Sequence, residues 1–321
     1  MFVVTSTVFG AAQAFFSPAS TGLVPQVVSE ARLQQANALL QLSHTATNVF
    51  GPALSGLLIA LTEPGWVFAA DAVSFVVSAL FLARLRARPI EPEPRQRFFA
   101  DLLDGAREAW SRVWLRVGFL AAAVANVGIG ILFVLGPLVA EEDLGGAAAW
   151  GLVLTGGAIG GFLGSIVAMR WRPSRPVPTC LIAWSFGALP LLFLVPPLPA
   201  LMIAAGNAAF SGGIIYGNAI WETLQQREIP PQRLSRVNAF DWMFSLCFMP
   251  VGQALAGPLA EQVGVEAVLV GAALLIAVPC LAVLPLRGVR DGPRLGPTPL
   301  PSPAFDSAGE SPVPAPLDRL P

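Results

Sequence analysis

"RLSRVNAF" (233–240) repeats "RLQQANAL" (32–39) at an offset of 201 residues, the distance from Arg32 to Arg233. Without a gap, Leu33 meets Leu234, Asn37 meets Asn238 and Ala38 meets Ala239. Further along, Gly51 meets Gly252, Ala53 meets Ala254, Leu54 meets Leu255, Gly56 meets Gly257 and Leu58 meets Leu259. Hydrophobic bias explains matched Leu and Ala, but not an Arg, an Asn and two Gly in register. Both copies begin in a polar connection and run into an apolar stretch in the same orientation. Parallel repeats related by an axis along the membrane normal are a transporter architecture.

The surrounding composition places that repeat in a bilayer. Of 321 residues, 55% are hydrophobic and 12% charged, against about 25% charged in a soluble domain. Mean hydropathy is +0.66. Residues 117–140, 144–169 and 176–221 carry no charge, and a membrane helix needs roughly 20 apolar residues. The fold class expected is an all-α polytopic membrane protein with nine spans, at 2–23, 36–61, 66–85, 115–140, 148–170, 177–196, 198–222, 236–260 and 264–286. Small residues in "TGGAIGGFLG" (155–164) read as a helix-packing face. A net charge of −1 offers no basic surface for nucleic acid. Cys180, Cys247 and Cys280 lie apart with no metal spacing, and a single histidine excludes a His-rich site. No P-loop, HExxH or GxGxxG after a strand is present. The chain is therefore not expected to be an enzyme, and no cofactor or metal is expected.

Charge sets the topology. All nineteen basic residues are arginines. They follow spans one, three, five, seven and nine, while the loops near Glu63, Glu141 to Asp143, Pro196 to Pro199 and Glu261 to Glu266 have none. Arginine-rich loops face the cytoplasm, so the C-terminus is expected inside and the N-terminus of this chain outside. Four parts follow: a three-span half-bundle at 1–85, a cytoplasmic linker at 86–114, a six-span half-bundle at 115–287, and a Pro-rich disordered tail at 288–321. In the linker, Phe99, Leu102, Leu103, Ala106, Trp110 and Val113 share one helical face, which fits either a helix lying on the inner leaflet or one packed under the bundle.

With the phrases "FFSPASTGLVPQVV" (15–28), "LQQANAL" (33–39), "FGPALSGLL" (50–58), "FAADAVSFVVSALFL" (68–82) and "DLLDGAREAW" (101–110), the chain resembles the major facilitator superfamily over roughly residues 1–287. The similarity is greatest to its drug:proton antiporter branch, which holds macrolide-efflux proteins and an enterobactin exporter. The resemblance makes the two repeat copies the fifth and eleventh helices of a twelve-helix fold and implies a transporter whose partners are the bilayer, a small-molecule substrate and protons. Antiporters of the superfamily carry a glycine-rich fifth-helix pattern ending in GPxxGG. Gly51, Pro52 and Gly56 match it, Ser55 replaces a glycine, and Ala38 and Thr47 stand at upstream glycine positions. The match implies export; a packing kink at Pro52 is the other reading. Against the twelve-helix pattern, the first three helices have no counterpart here. That leaves a second reading open, a truncated, non-transporting membrane protein or gene fragment, and with it the expectation that the 321-residue chain alone does not transport.

Few polar groups lie inside spans, where ionisable residues are costly and default to function. Asn37, Gln41, His44 and Asn48 form one helical stripe and are candidates for the substrate cavity or for coupling. Histidine is the side chain suited to proton exchange near neutral pH; for His44, proton coupling and a neutral, hydrogen-bonded role both fit. Asp71 fits a coupling carboxylate or a helix-end group. Arg32, Glu222, Arg233 and Asp241, with Arg227 and Arg236, are expected to form a cytoplasmic charge latch. Asn126, Asn207, Tyr216, Asn218 and Gln253 are candidate cavity-lining groups.

Overall fold

The computed structural model describes Phe16, Ser20 and residues 22–61, 64–85, 106–108 and 110–294. Within these the chain is helical. After a 3-10 turn at Glu30–Arg32 come α1 (Leu33–Leu61), α2 (Pro64–Arg84), α3 (Val113–Asp143), α4 (Ala147–Arg170), α5 (Pro176–Ser185), α6 (Ala188–Phe193), α7 (Ala200–Glu228), α8 (Pro231–Leu246), α9 (Met249–Val263), α10 (Val265–Ala282) and the short α11 (Arg287–Arg290).

Among the described residues, six helices are long and apolar enough to cross a bilayer: α3, α4, the α5–α6 pair, α7, the α8–α9 pair and α10. They match the six expected spans of the second half, with ends moved by a few residues. The largest change is in α7, which continues to Glu228, six residues beyond the expected 198–222. In the first half, α1 has 29 residues and α2 has 21, or about 43 and 31 Å at 1.5 Å per residue. The expected span 2–23 lies mostly outside the described residues.

Two spans are broken where proline dictates it. A proline has no N–H and crowds the carbonyl four residues earlier. Pro190 falls four residues after Phe186, where α5 gives way to α6, and Pro250 falls four after Leu246, the last residue of α8. Pro137, Pro258 and Pro279 sit inside continuous helices, a tolerance that membrane helices allow.

The expected packing face in "TGGAIGGFLG" is where α4 meets α7. Gly156, Gly160 and Gly164, four apart, press on the backbone of Ala204, Ala208 and Gly212, also four apart. A Cβ at Gly160 would strike the Ala208 carbonyl. Similarly, Gly130 of α3 presses on Met249 and Gly252 of α9 on Val127, backbone to backbone. Between these seams lie two apolar clusters. One, toward the arginine-rich end, gathers Trp114, Phe119, Trp184, Trp221 and Phe240; the other holds Leu135, Leu191, Ile203, Leu269 and Ile276. Outside, Phe162, Leu163, Leu201, Leu274 and Val278 are all at least half exposed, the pattern of helices facing lipid rather than water.

Both repeat copies keep their buried positions, because Leu33, Asn37, Leu234 and Asn238 are all 3% exposed or less. In the linker, residues 106–108 and 110–111 are helical. Trp110 meets Phe240 and Phe244 edge-on at 5.9 and 6.0 Å, so this part of the linker packs against α8. The tail expected at 288–321 begins within the described residues. Val289 in α11 is fully buried, Gly288 abuts Val113, and residues 295–321 lie outside the described ones.

Candidate functional site

A belt of hydrogen bonds joins α1, from the first half, to the second half at the arginine-rich end. Gln34 donates from Nε2 to the carbonyls of Ala168 and Trp171 at 2.6 and 2.7 Å. Ala168 carries one of the last carbonyls of α4, which have no partner inside the helix, and Trp171 is the residue that ends it, so Gln34 caps α4 from another segment. Asn37 Nδ2 donates to Thr223 Oγ1 at 3.0 Å and Gln226 Oε1 at 2.8 Å, and its Oδ1 accepts from Gln226 Nε2 at 3.2 Å. Gln41 Nε2 donates to Glu222 Oε1 at 3.2 Å. Two arginines of the second half close the edge of the belt. Arg172 donates to the Ala31 carbonyl and Arg227 to the Glu30 carbonyl, at 2.5 and 2.9 Å.

Adjoining the belt, the second half lines an open-sided cavity of about 370 Å³. Helix α3 supplies Phe119, Asn126 and Phe133. Helices α5, α7 and α8 supply Trp184, Asn218, Trp221, Glu222, Gln225, Asn238, Asp241, Trp242 and Ser245. Asp241 sits in a cradle of neutral donors. Its Oδ2 accepts from Trp221 Nε1 at 3.1 Å and Gln225 Nε2 at 2.9 Å, and its Oδ1 from Ser245 Oγ at 3.1 Å. Trp221 is held by Trp114 and Trp184 edge-on at 5.3 and 5.4 Å. Trp184 Nε1 donates to Asn218 Oδ1 at 3.1 Å. The result is a mainly aromatic chamber with two carboxylates on one wall. A second cavity of about 310 Å³ lies between α4 and α7 and is reached by Thr45 of α1.

The candidate residues therefore separate into groups. Asn37 and Gln41 stand in the belt, and Gln41 brings the stripe to Glu222. His44, the next member, is exposed, and the side chain of Asn48 lies outside the described residues. Asp71 is exposed on α2, where its carbonyl accepts from Ser74. Asn126 lines the main cavity, with Nδ2 donating to the Ala122 carbonyl at 3.0 Å. Asn207 lines the second cavity, bonded to the Val153 carbonyl at 2.9 Å. Gln253 is exposed, and the Tyr216 ring is buried and stacked on Trp171 at 5.5 Å. Gly51, Pro52 and Gly56 all lie within α1; the side-chain surroundings of Pro52 and Gly56 are outside the described residues.

The residues expected to form a latch do not stand as one group. Glu222 and Asp241 are on the cavity wall. Arg233 pairs with Glu108 at 3.0 Å, Arg227 reaches a backbone carbonyl, and Arg32 is exposed in the 3-10 turn. Sequence reasoning missed Gln34, Thr223, Gln225, Gln226 and Asn238. Asn238 was within reach, since it is the repeat mate of Asn37. Gln34 lies just before the expected span at 36–61, and Thr223, Gln225 and Gln226 sit in "ETLQQRE" (222–228), a polar run placed in a loop by ending the span at 222.

Comparison with known proteins agrees with this architecture. The profile of the Major Facilitator Superfamily matches residues 1–246. The multidrug efflux pump Tap of Mycobacterium tuberculosis is 25% identical over 305 residues, covering 90% of this chain and 72% of that protein. The Tap pump of Mycolicibacterium fortuitum is 26% identical over 273 residues, 79% of this chain and 65% of that protein. The enterobactin exporter EntS of Escherichia coli is 25% identical over 245 residues, 74% of this chain and 57% of that protein. With its helical fold, its membrane-length spans and a family match over most of its length, the chain belongs to the Major Facilitator Superfamily.

Proposed function

We propose that this multi-pass membrane protein exports amphipathic small molecules in exchange for protons by alternating access between two half-bundles, residues 1–85 and 115–287, joined by the linker at 86–114. One observation carries the reading. Among the described residues, the polar contacts between the halves gather at the arginine-rich end, while the cavity of the second half extends beyond them. The arginine rule makes that end cytoplasmic, so the described state is closed to the cytoplasm. Opening it requires exchanging the belt's hydrogen bonds, each worth about 0.5–1.5 kcal/mol net, a set small enough for substrate or proton binding to shift.

Glu222 and Asp241 become the carboxylates facing the transported species, and His44, in a part of α1 beyond the belt, becomes a further proton-exchanging group. Arg32 and Arg233 mark the cytoplasmic rim. The efflux and siderophore-export activities carried in the names of the relatives support the direction.

The test is dye efflux from cells lacking other pumps, with the chain at matched membrane abundance. In a transport-competent context, export is expected to stop when a protonophore collapses the gradient, to fall at least about tenfold in Glu222→Gln, and to lose part of its pH dependence in His44→Ala; no efflux by the chain alone favours the non-transporting reading. Efflux indifferent to the protonophore would remove the proton from the mechanism.

A further inference from the structure

The two acids on the cavity wall are held in different ways. Both oxygens of Asp241 are engaged, by three donors. Glu222 accepts one bond, from Gln41 on Oε1. Gln225 directs its amide N–H to Asp241, which leaves its carbonyl oxygen with no donor although the residue is 1% exposed. Asn238, 3% exposed, has an Nδ2 with no acceptor. Buried polar groups are normally partnered, and each exception calls for a cause. Here both orphan-bearing residues line the same cavity as Glu222, and the rings of Trp184, Trp221 and Trp242 line it too.

We propose that Glu222 and Gln225 form a subsite for the protonated amine of an amphipathic ligand, with Asn238 donating to an oxygen of the same ligand. The carboxylate takes the charge. The Gln225 carbonyl accepts an N–H, so the site prefers an ammonium that carries hydrogens over a quaternary one. The indole faces take the apolar body and add cation–π attraction. A bare metal ion fits poorly, because much of the lining is aromatic. This deepens the export reading and rests on it only for treating the ligand as cargo; binding itself stands apart from transport. A consequence follows for Gln41. An ammonium on Glu222 competes with the Gln41 N–H, so occupancy weakens one bond between the halves, and removing that bond favours the ligand.

Three compounds with one aromatic body test this: propranolol, a secondary amine with a neighbouring hydroxyl; its N,N-dimethyl quaternary derivative; and its uncharged N-acetyl derivative. Equilibrium dialysis uses the purified full chain in detergent, against the same micelles without protein. Propranolol is expected to bind at least about tenfold tighter than either derivative. Glu222→Gln is expected to lower propranolol affinity about tenfold or more and leave N-acetyl binding unchanged, while Gln41→Leu raises propranolol affinity several-fold. Equal binding of propranolol and the N-acetyl compound by the unmodified chain would overturn the site, and so would no binding of either. Because that comparison needs no variant, a Glu222→Gln chain that fails to fold does not blunt it. Equal binding of the secondary and quaternary amines would overturn the Gln225 contact. Amine-selective binding by a chain that shows no efflux upholds the subsite and sinks the export reading; efflux without amine selectivity does the reverse.

Discussion

At the scale of single residues, Asn37 and Asn238 show what a repeat does and does not convey. Each is buried near the start of its helix, Asn37 about one turn into α1 and Asn238 about two turns into α8. Yet Asn37 meets Thr223 and Gln226, while Asn238 leaves its amide N–H unpartnered. The difference depends on which helix lies opposite, and spacing alone does not carry that. For the same reason the stripe of Asn37, Gln41, His44 and Asn48 was only partly legible. Helical period puts them on one face, but α1 touches α7 through Asn37 and Gln41 and then meets α4 through Thr45, beside Gly161, which leaves His44 exposed. Asn37→Leu is expected to destabilise the folded chain by about 1–3 kcal/mol, since it removes the three hydrogen bonds that the buried Asn37 amide makes to Thr223 and Gln226. The readout is a lower thermal midpoint in detergent. His44→Leu, at an exposed position, should leave that midpoint nearly unchanged.

At the scale of elements, the spans of the second half were readable because apolar runs of membrane length have few alternatives. Their interruptions were readable only in retrospect. Pro190 and Pro250 break their spans, whereas Pro137, Pro258 and Pro279 do not, and proline alone does not tell the two cases apart. The glycines of α4 were recognisable as a contact face; that the contact is with α7 came from the fold. Gly160→Leu should abolish recovery of monodisperse protein, because even its Cβ meets the Ala208 carbonyl. Gly151→Ala, on the same helix with nothing within 4 Å of an added Cβ, is expected to be neutral or slightly stabilising, by up to about 1 kcal/mol from helix propensity. Equal yields for the two variants would mean that α4 and α7 do not meet as described. The polar end of α7 was the clearest loss at this scale. "ETLQQRE" reads as loop by hydropathy and is helix in fact, held by side-chain bonds to α1 and α8.

At the scale of the whole molecule, arginine placement and packing agree about which loops share an end. Arg112, Arg172, Arg227 and Arg233 all meet at the belt or beside it, while the turn at Gly145 and Gly146, with φ of +92° and +84°, lies at the other end of α3 and α4. In a background lacking Cys247, the exposed one of the three cysteines, Glu142→Cys should react with an impermeant thiol reagent in intact cells and Arg175→Cys should not. The opposite labelling would invert the topology and with it the direction of transport.

The close seam of α4 and α7 has a mechanical meaning. Where backbone rests on backbone, no side chain can change rotamer to let the two rods slide, so the pair behaves as one stiff beam. Any hinge must then lie where the contacts are long side chains that can let go, which here means the glutamines and asparagine between α1 and that beam. A covalent staple along the beam should leave a transport cycle free to turn, whereas one between Asn37 and Thr223 should jam it.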